Sequence, residues 1–259
     1  MKFQAMGLYF PDIEHLLNWP GVLFEGSKYF ELNKVGIIYL WAMIAPLILF
    51  TLAIRKSKLV PTGVQTIAES SVDFVRENVV MQTIGPDGMK FMPFLMSLFF
   101  FIFFSNITEV IPFIQFPGNA RMAAPAMLAL VVWVVFNAVG IKSQGFFKYF
   151  KNTIIPPGVP AALLPLVAVI EFVSTFFVRP FSLAVRLFAN MLAGHLLLVT
   201  FAVLSAALWD TSPLISIVWA PFVVLIGLTG FEILVAFLQA FIFTILTAVY
   251  IGGALHPEH

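Results

Sequence analysis

Three apolar stretches of this 259-residue chain carry side chains that hold charge or exchange protons. The first, EFVSTFFVRPFSLAVRLFANMLAGHLLL, runs from Glu171 to Leu198 and contains Glu171, Ser174, Arg179, Arg186, Asn190 and His195. The second, FEILVAFLQAFIFTILTAVY, contains Glu232, Gln239 and Tyr250, and the third, LFFFIFFSNITEVIPF, contains Asn106 and Glu109. Arg186 needs explaining most. Its apolar run starts near Ala161, and the next acidic residue is Asp210; at about 1.5 Å per helical residue each direction gives about 36 Å. A snorkelling side chain reaches neither end, so the guanidinium sits at membrane depth. Estimates of its cost there run from about 2.5 to about 17 kcal/mol. A structural ion pair inside a helix bundle is one account. A fixed charge on an ion pathway is the other: Arg keeps its proton, so it cannot relay protons but can hold a local charge and interrupt a proton wire.

Projected at about 100° per residue, Glu171, Arg179, Ser182, Arg186, Asn190 and Ala193 share one face of an otherwise apolar rod, with a disturbance at Pro180. His195 points about 180° from Arg186. On the later stretch Glu232, Gln239 and Tyr250 align, with Thr229 and Thr247 at the margin. Carboxyl and imidazole groups in such surroundings are the ones suited to proton exchange near neutral pH. A His195–Glu232 pair supported by Asn190 and Gln239 is therefore expected, with Asn106 and Glu109, one helical turn apart, extending it towards one surface. The plain alternative is packing, with Asn and Gln acting as interhelical glue. Ala184, Ala189, Ala193 and Gly194 around Arg186 would let another backbone come close. No carboxylate lies one turn from Arg186, so its counter-charge is expected from a different subunit.

The elements that hold these residues are membrane spans. The chain is 61% hydrophobic and 10% charged, with mean hydropathy +1.00, whereas a soluble domain is about 25% charged. Without Cys there is no thiol or disulfide chemistry, and no metal or other cofactor is expected; a net charge of +1 argues against nucleic acid. Residues 1–34 carry no signal peptide and read as an extramembrane segment with short helices, broken by Pro11, Asp12, Glu14 and Pro20. Spans are expected at about 36–54, 91–113, 122–141, 161–208 and 212–253, with an amphipathic surface helix at about 61–80 whose face is Val64, Ile67, Ala68, Ser71, Val72 and Val75. Arg55, Lys56 and Lys58 after the first span and Lys142, Lys148 and Lys151 after the third place those ends in the cytoplasm. The N-terminus is then outside and the C-terminus cytoplasmic. The last two runs are about 72 Å and 63 Å if helical, against a core of about 30 Å, so they must tilt steeply or bend, with Pro180, Pro221, Gly227 and Gly230 as bend points. The fold class is an all-α integral membrane protein: about five transmembrane helices plus one surface helix in a single membrane domain, 35–259.

RPFSLAVRLFANMLAGH followed by FEILVAFLQAFIFTILTAVY resembles subunit a of the F-type ATP synthases, over nearly the whole chain from Gly36 onward. The resemblance implies a stator of the membrane proton motor in a bacterial inner membrane, not itself an enzyme. Its implied partners are a ring of small two-helix c subunits, b-type peripheral-stalk subunits, the rest of the ATP synthase and the lipid bilayer. Residue by residue it makes Arg186 the essential charge facing the ring. Asn106, Glu109, Asn190, His195, Glu232 and Gln239 become the outer proton half-channel, and Glu171, Ser174 and Arg179 candidates for the cytoplasmic exit. The chain departs from many relatives before the third span, where GNARMAAPAM replaces a Thr/Asp/Asn-rich run and puts an outer-channel role there in doubt. No G-x-x-x-x-G-K-[ST] motif is present, so no nucleotide site is expected. A secondary transporter, which would show repeats around a midplane site, and a structural membrane scaffold are the alternative classes.

Overall fold

The computed structural model describes residues 21–23, 32–55, 58–111, 114–155, 160, 163–211 and 215–256. Much of 1–34, with Pro11, Asp12, Glu14 and Pro20, lies outside them. Two described pieces of that segment, β1 (Gly21–Leu23) and β2 (Leu32–Asn33), form a small antiparallel pair where short helices were expected. Gly21 and the preceding Pro20 disfavour a helix there.

Everything else of regular structure among the described residues is helical. α1 is Lys34–Arg55 and α2 is Val64–Val75, prolonged by a π turn over Arg76–Met81. A 3₁₀ turn over Pro86–Phe91 leads into α3 (Met92–Ile107). α4 is Ala123–Gln144 and α5 is Phe146–Ile154. α6 (Leu164–Val173) passes through a π turn, Ser174–Val178, into α7 (Arg179–Thr211), and α8 is Ile215–Leu255. Among the described residues, five segments are long and apolar enough to cross a membrane: Lys34–Arg55, Pro86–Ile107, Ala123–Gln144, Leu164–Leu208 and Trp219–Leu255. The first three have 22 residues each, about 33 Å, which suits the hydrocarbon core. The last two have 45 and 37, well beyond one upright crossing.

The residues cluster into two compact units. One contains 1–46, 101–121 and 188–239; the other contains 47–100, 122–187 and 240–259. In the first unit Val35, Ile38 and Phe116 form a core against which Tyr39 and Ile114 pack. In the second, Phe74 of α2 lies against Phe99 and Phe241, with ring centroids 5.9 and 5.5 Å apart. The surface helix is thus docked on its own unit, and its face differs from the expected one. Gln65, Ala68, Val75 and Val79 turn inward, whereas Val64 and Ile67 are exposed. Gln65 is drawn in by polar bonds: its amide donates to the Lys58 carbonyl and Glu69 Oε1, and its carbonyl accepts the Lys58 N–H.

Three boundaries depart from the hydropathy reading. α3 stops at Ile107 rather than near 113, because Pro112 has no N–H for the Thr108 carbonyl and disfavours helix at the residue before it. α5 was unforeseen. Gly145, at φ 83°, ends α4 with its N–H on the Ile141 carbonyl at 2.8 Å and lets the chain turn at once into a nine-residue helix. The π turn of Ser174–Val178 precedes Pro180, whose missing N–H removes one rung of the ladder; the Arg179 N–H reaches back to the Ser174 carbonyl instead. α8, by contrast, carries Pro221, Gly227 and Gly230 within one continuous helix.

Candidate functional site

In the first unit the polar residues converge where α3 ends. Asn106 lies in the last turn of α3 and Glu109 just past it, with the Glu109 N–H on the Asn106 carbonyl at 3.1 Å. The tight turn keeps the two neighbours although the helix has ended. The Thr108 hydroxyl lies 2.8 Å from the Ser105 carbonyl and 2.9 Å from that of Phe116, holding the returning strand of chain against the turn. That chain delivers Asn119, wholly buried, whose amide donates to Ser105 Oγ and Asn106 Oδ1, each at 2.7 Å. The Tyr39 hydroxyl fixes the same loop by donating to the Gly118 carbonyl at 2.6 Å. Gly118 allows this close approach, since a Cβ would sit 3.0 Å from Ile38 and 3.2 Å from Tyr39 and both would have to give way. Asn119 thus belongs to the site although nothing in GNARMAAPAM marked it; an amide in a connecting loop carries no periodicity, and only the loop's return shows what it touches.

His195 is buried on α7, edge-on to Phe116, with Nδ1 3.6 Å from Glu109 Oε1. That is too long for a good hydrogen bond and within the reach of an ion pair when the imidazole is protonated. Beside the pair is a cavity of roughly 160 Å³ whose polar lining is Glu109, Gln115, His195 and Thr229. At about 30 Å³ per water it has room for a few. A His195–Glu232 pair was expected; the carboxylate that lies 3.6 Å from the His195 imidazole is that of Glu109, just past the end of α3. Glu232, 4% exposed, rests on the residue before His195. A Cβ on Gly194 would stand 2.5 Å from Glu232 Oε1, so the bare backbone is what lets the carboxylate in. Gly194, grouped above with the small residues around Arg186, serves α8 instead. One turn earlier on α7, the Asn190 amide donates to Gln239 Oε1 at 2.7 Å. Asn106 Nδ2, Glu109 Oε1, Asn119 Oδ1, Glu232 Oε2 and Gln239 Nε2 are buried with no hydrogen-bond partner among the described residues. Buried polar atoms are rarely left so, and such a run of them is what a path for exchangeable protons needs.

The second unit holds Glu171, Ser174, Arg179 and Arg186. The π turn widens the helix between Glu171 and Arg186, so a projection at 100° per residue does not carry across it. Glu171, Ser174 and Arg179 are half-buried, and the Arg179 guanidinium lies 5.4 Å from the centre of the Tyr250 ring. Thr175, rather than its neighbour Ser174, is the buried hydroxyl. Arg186 is exposed, and no ion pair joins it to any described residue. Helical spacing puts Ala189, Asn190 and Ala193 on its face of α7, and they too are exposed.

Long apolar helices, with protonatable and amide side chains buried among them and an exposed Arg186, are those of a multi-pass membrane protein. The model of the ATP synthase A chain family matches residues 37–252. The chain is similar to ATP synthase subunit a of Rhodococcus erythropolis, 44% identical over 242 residues covering 92% of this chain and 88% of that one. It is 45% identical to that of Frankia alni over 236 residues, 90% and 81% of the two chains. With that of Maricaulis maris it shares 40% over 266 residues, 99% and 93%. The chain belongs to the ATP synthase subunit a family.

Proposed function

We propose that this chain is the proton-translocating stator subunit of a bacterial ATP synthase, with residues 1–34 outside, a single membrane domain over 35–259 and the C-terminus in the cytoplasm. Protons enter an outer half-channel at Glu109 and pass His195 and Glu232, with Asn106, Asn119, Asn190 and Gln239 supplying the hydrogen bonds along the way. They are handed to a membrane-buried carboxyl on a rotating ring of c subunits and leave by a second half-channel near Glu171, Ser174 and Arg179. Arg186 stands between the two. Its fixed charge favours the ionised ring carboxylate as it passes and blocks direct leakage. α7 and α8, with the turn of chain before them, are each longer than an upright span and lie steeply tilted along the ring. The membrane potential drives the flow with about 2.3 kcal/mol per charge per 100 mV. Nucleotide chemistry belongs to the rest of the complex, held to this chain through b-type stalk subunits.

The carrying observation is Arg186: a permanent cation on an apolar helix, exposed beside small residues and with no ion pair to a described residue. In this reading the ring carboxyl is the missing partner. The test is ATP-driven proton pumping in membrane vesicles carrying Arg186→Ala, with assembled complex quantified in parallel. Pumping is expected to vanish at normal assembly. Substantial pumping by the variant overturns the reading.

A further inference from the structure

In the second unit, where the 3₁₀ turn before α3, the end of α4 and the end of α8 come together, there is a groove of roughly 540 Å³ outside the path described above. Its walls are apolar: Phe91, Ala138, Val139 and Leu255. Its remaining lining residues are Lys90, Lys142 and Ser143. The geometry is fixed by α4 and α8, since the Gln144 amide donates to the Ala254 carbonyl at 2.8 Å and Ser143 Oγ lies 3.5 Å from the Leu255 carbonyl. Both lysines are exposed, and Lys90 lies 5.2 Å over the Phe91 ring at the groove wall. The acid nearest in sequence, Asp87, is paired with His256 at 3.5 Å.

We infer that this groove holds an anionic phospholipid, its phosphate between Lys90 and Lys142 and its acyl chains along Phe91, Val139 and Leu255. Three observations carry this. The groove lies where three candidate spans, Pro86–Ile107, Ala123–Gln144 and Trp219–Leu255, have an end. Its lining combines two lysines and a serine with apolar groups, as a lipid combines a phosphate with acyl chains. Its charge is also one-sided: the charged residues of its lining, Lys90 and Lys142, are both basic, and Lys148 and Lys151 follow on α5. Basic pockets between spans hold anionic headgroups by the same attraction that draws polybasic segments to anionic leaflets. A soluble phosphate compound would use the lysines and leave the apolar wall without a partner.

The test uses the intact complex, stripped of lipid in detergent and offered dioleoyl phosphatidylglycerol, dioleoyl phosphatidylcholine or inorganic phosphate, with bound lipid counted by native mass spectrometry. The unmodified complex should prefer the glycerol lipid over the choline lipid on the order of tenfold at one site. Lys90→Gln with Lys142→Gln should remove that preference, Lys90→Arg with Lys142→Arg should keep it, and Lys148→Gln with Lys151→Gln, outside the groove, should leave it unchanged. The Arg pair guards against a folding artefact. Equal preference in the Gln pair and the unmodified complex overturns the proposal, as does loss in the Lys148/Lys151 variant alone, which would mean a diffuse basic surface. Displacement of the lipid by equimolar inorganic phosphate overturns it too, by showing an ion site. Loss of another subunit from the Gln pair, with lipid counts unchanged, would assign the groove to an acidic protein partner instead.

Discussion

The two compact units use charge in opposite ways. In the first, Glu109, His195 and Glu232 are buried, and the Asn119 amide donates to Asn106 and that of Asn190 to Gln239. Several of its polar groups have partners supplied by the same chain. In the second, Arg186 is exposed and without an ion pair among the described residues, while Arg179 lies over the face of Tyr250. A cation left so on an apolar surface is incomplete alone, because charge at membrane depth needs a counter-charge or water. Under the proposed function, the contrast separates a route that one chain can build from a switch that needs a second chain.

That contrast breaks most sharply at Arg186. If its role is a permanent charge for a partner's carboxylate, Arg186→Lys should abolish coupled pumping almost as fully as Arg186→Ala, since an ammonium is compact and can lose its proton when buried. Pumping in vesicles at an unchanged rate would show that any cation there suffices.

The buried route is expected to tolerate less than packing would. Glu232→Gln keeps shape and hydrogen bonding but not titration, so proton flux per assembled complex should fall about 100-fold, the scale of a lost acid–base group. His195→Gln should fall less, because water in the adjoining cavity can stand in for part of the relay. Flux measured from pH 6 to 9 decides: an unmodified rate for Glu232→Gln throughout makes the carboxylate a packing group.

Asn119 sharpens the picture of the first unit at smaller scale. Asn119→Ala leaves Ser105 Oγ and Asn106 Oδ1 without their donor, which costs about 2 kcal/mol at buried positions. Thermal unfolding of the purified complex should register the loss, and flux should fall roughly tenfold as Asn106 loses its orientation. A stability loss with full flux would make Asn119 structural only.

The smallest effect belongs to the second unit. Tyr149 is buried on α5 against Gly140, where a Cβ would collide with its ring, and its hydroxyl donates to Asn137 Oδ1 at 3.0 Å. Tyr149→Phe should cost about 1 kcal/mol and leave flux unchanged. Burial raises the Tyr149 pKa above its ordinary 10.0, so the neutral phenol is favoured when folded. Its stabilisation is whole below pH 10 and is lost as pH rises beyond that, while the Phe variant shows no such loss. Unfolding of both proteins from pH 8 to 11 checks the sign.

Hydropathy and periodicity were enough for the five long segments and for the surface helix near 64–81, because a membrane core imposes length and apolarity on each span separately. They were weaker at the ends. Pro112 stopped α3 short, Gly145 started a helix too brief for a hydropathy window, and Gln65 was taken inward by polar bonds that no apolar count registers. The candidate residues were legible as single misfits, since a charge or amide in an apolar run stands out wherever it falls.

Their pairing was not legible. Sequence by itself determined which side chains are expensive, and that His195 and Arg186 leave α7 on opposite sides, because helical periodicity is local. Only the tertiary structure decided that His195 meets Glu109, that Glu232 settles on Gly194, and that Asn119 returns to hold Asn106. These contacts join residues from separate spans and a connecting loop, whose mutual register is set by how whole helices pack.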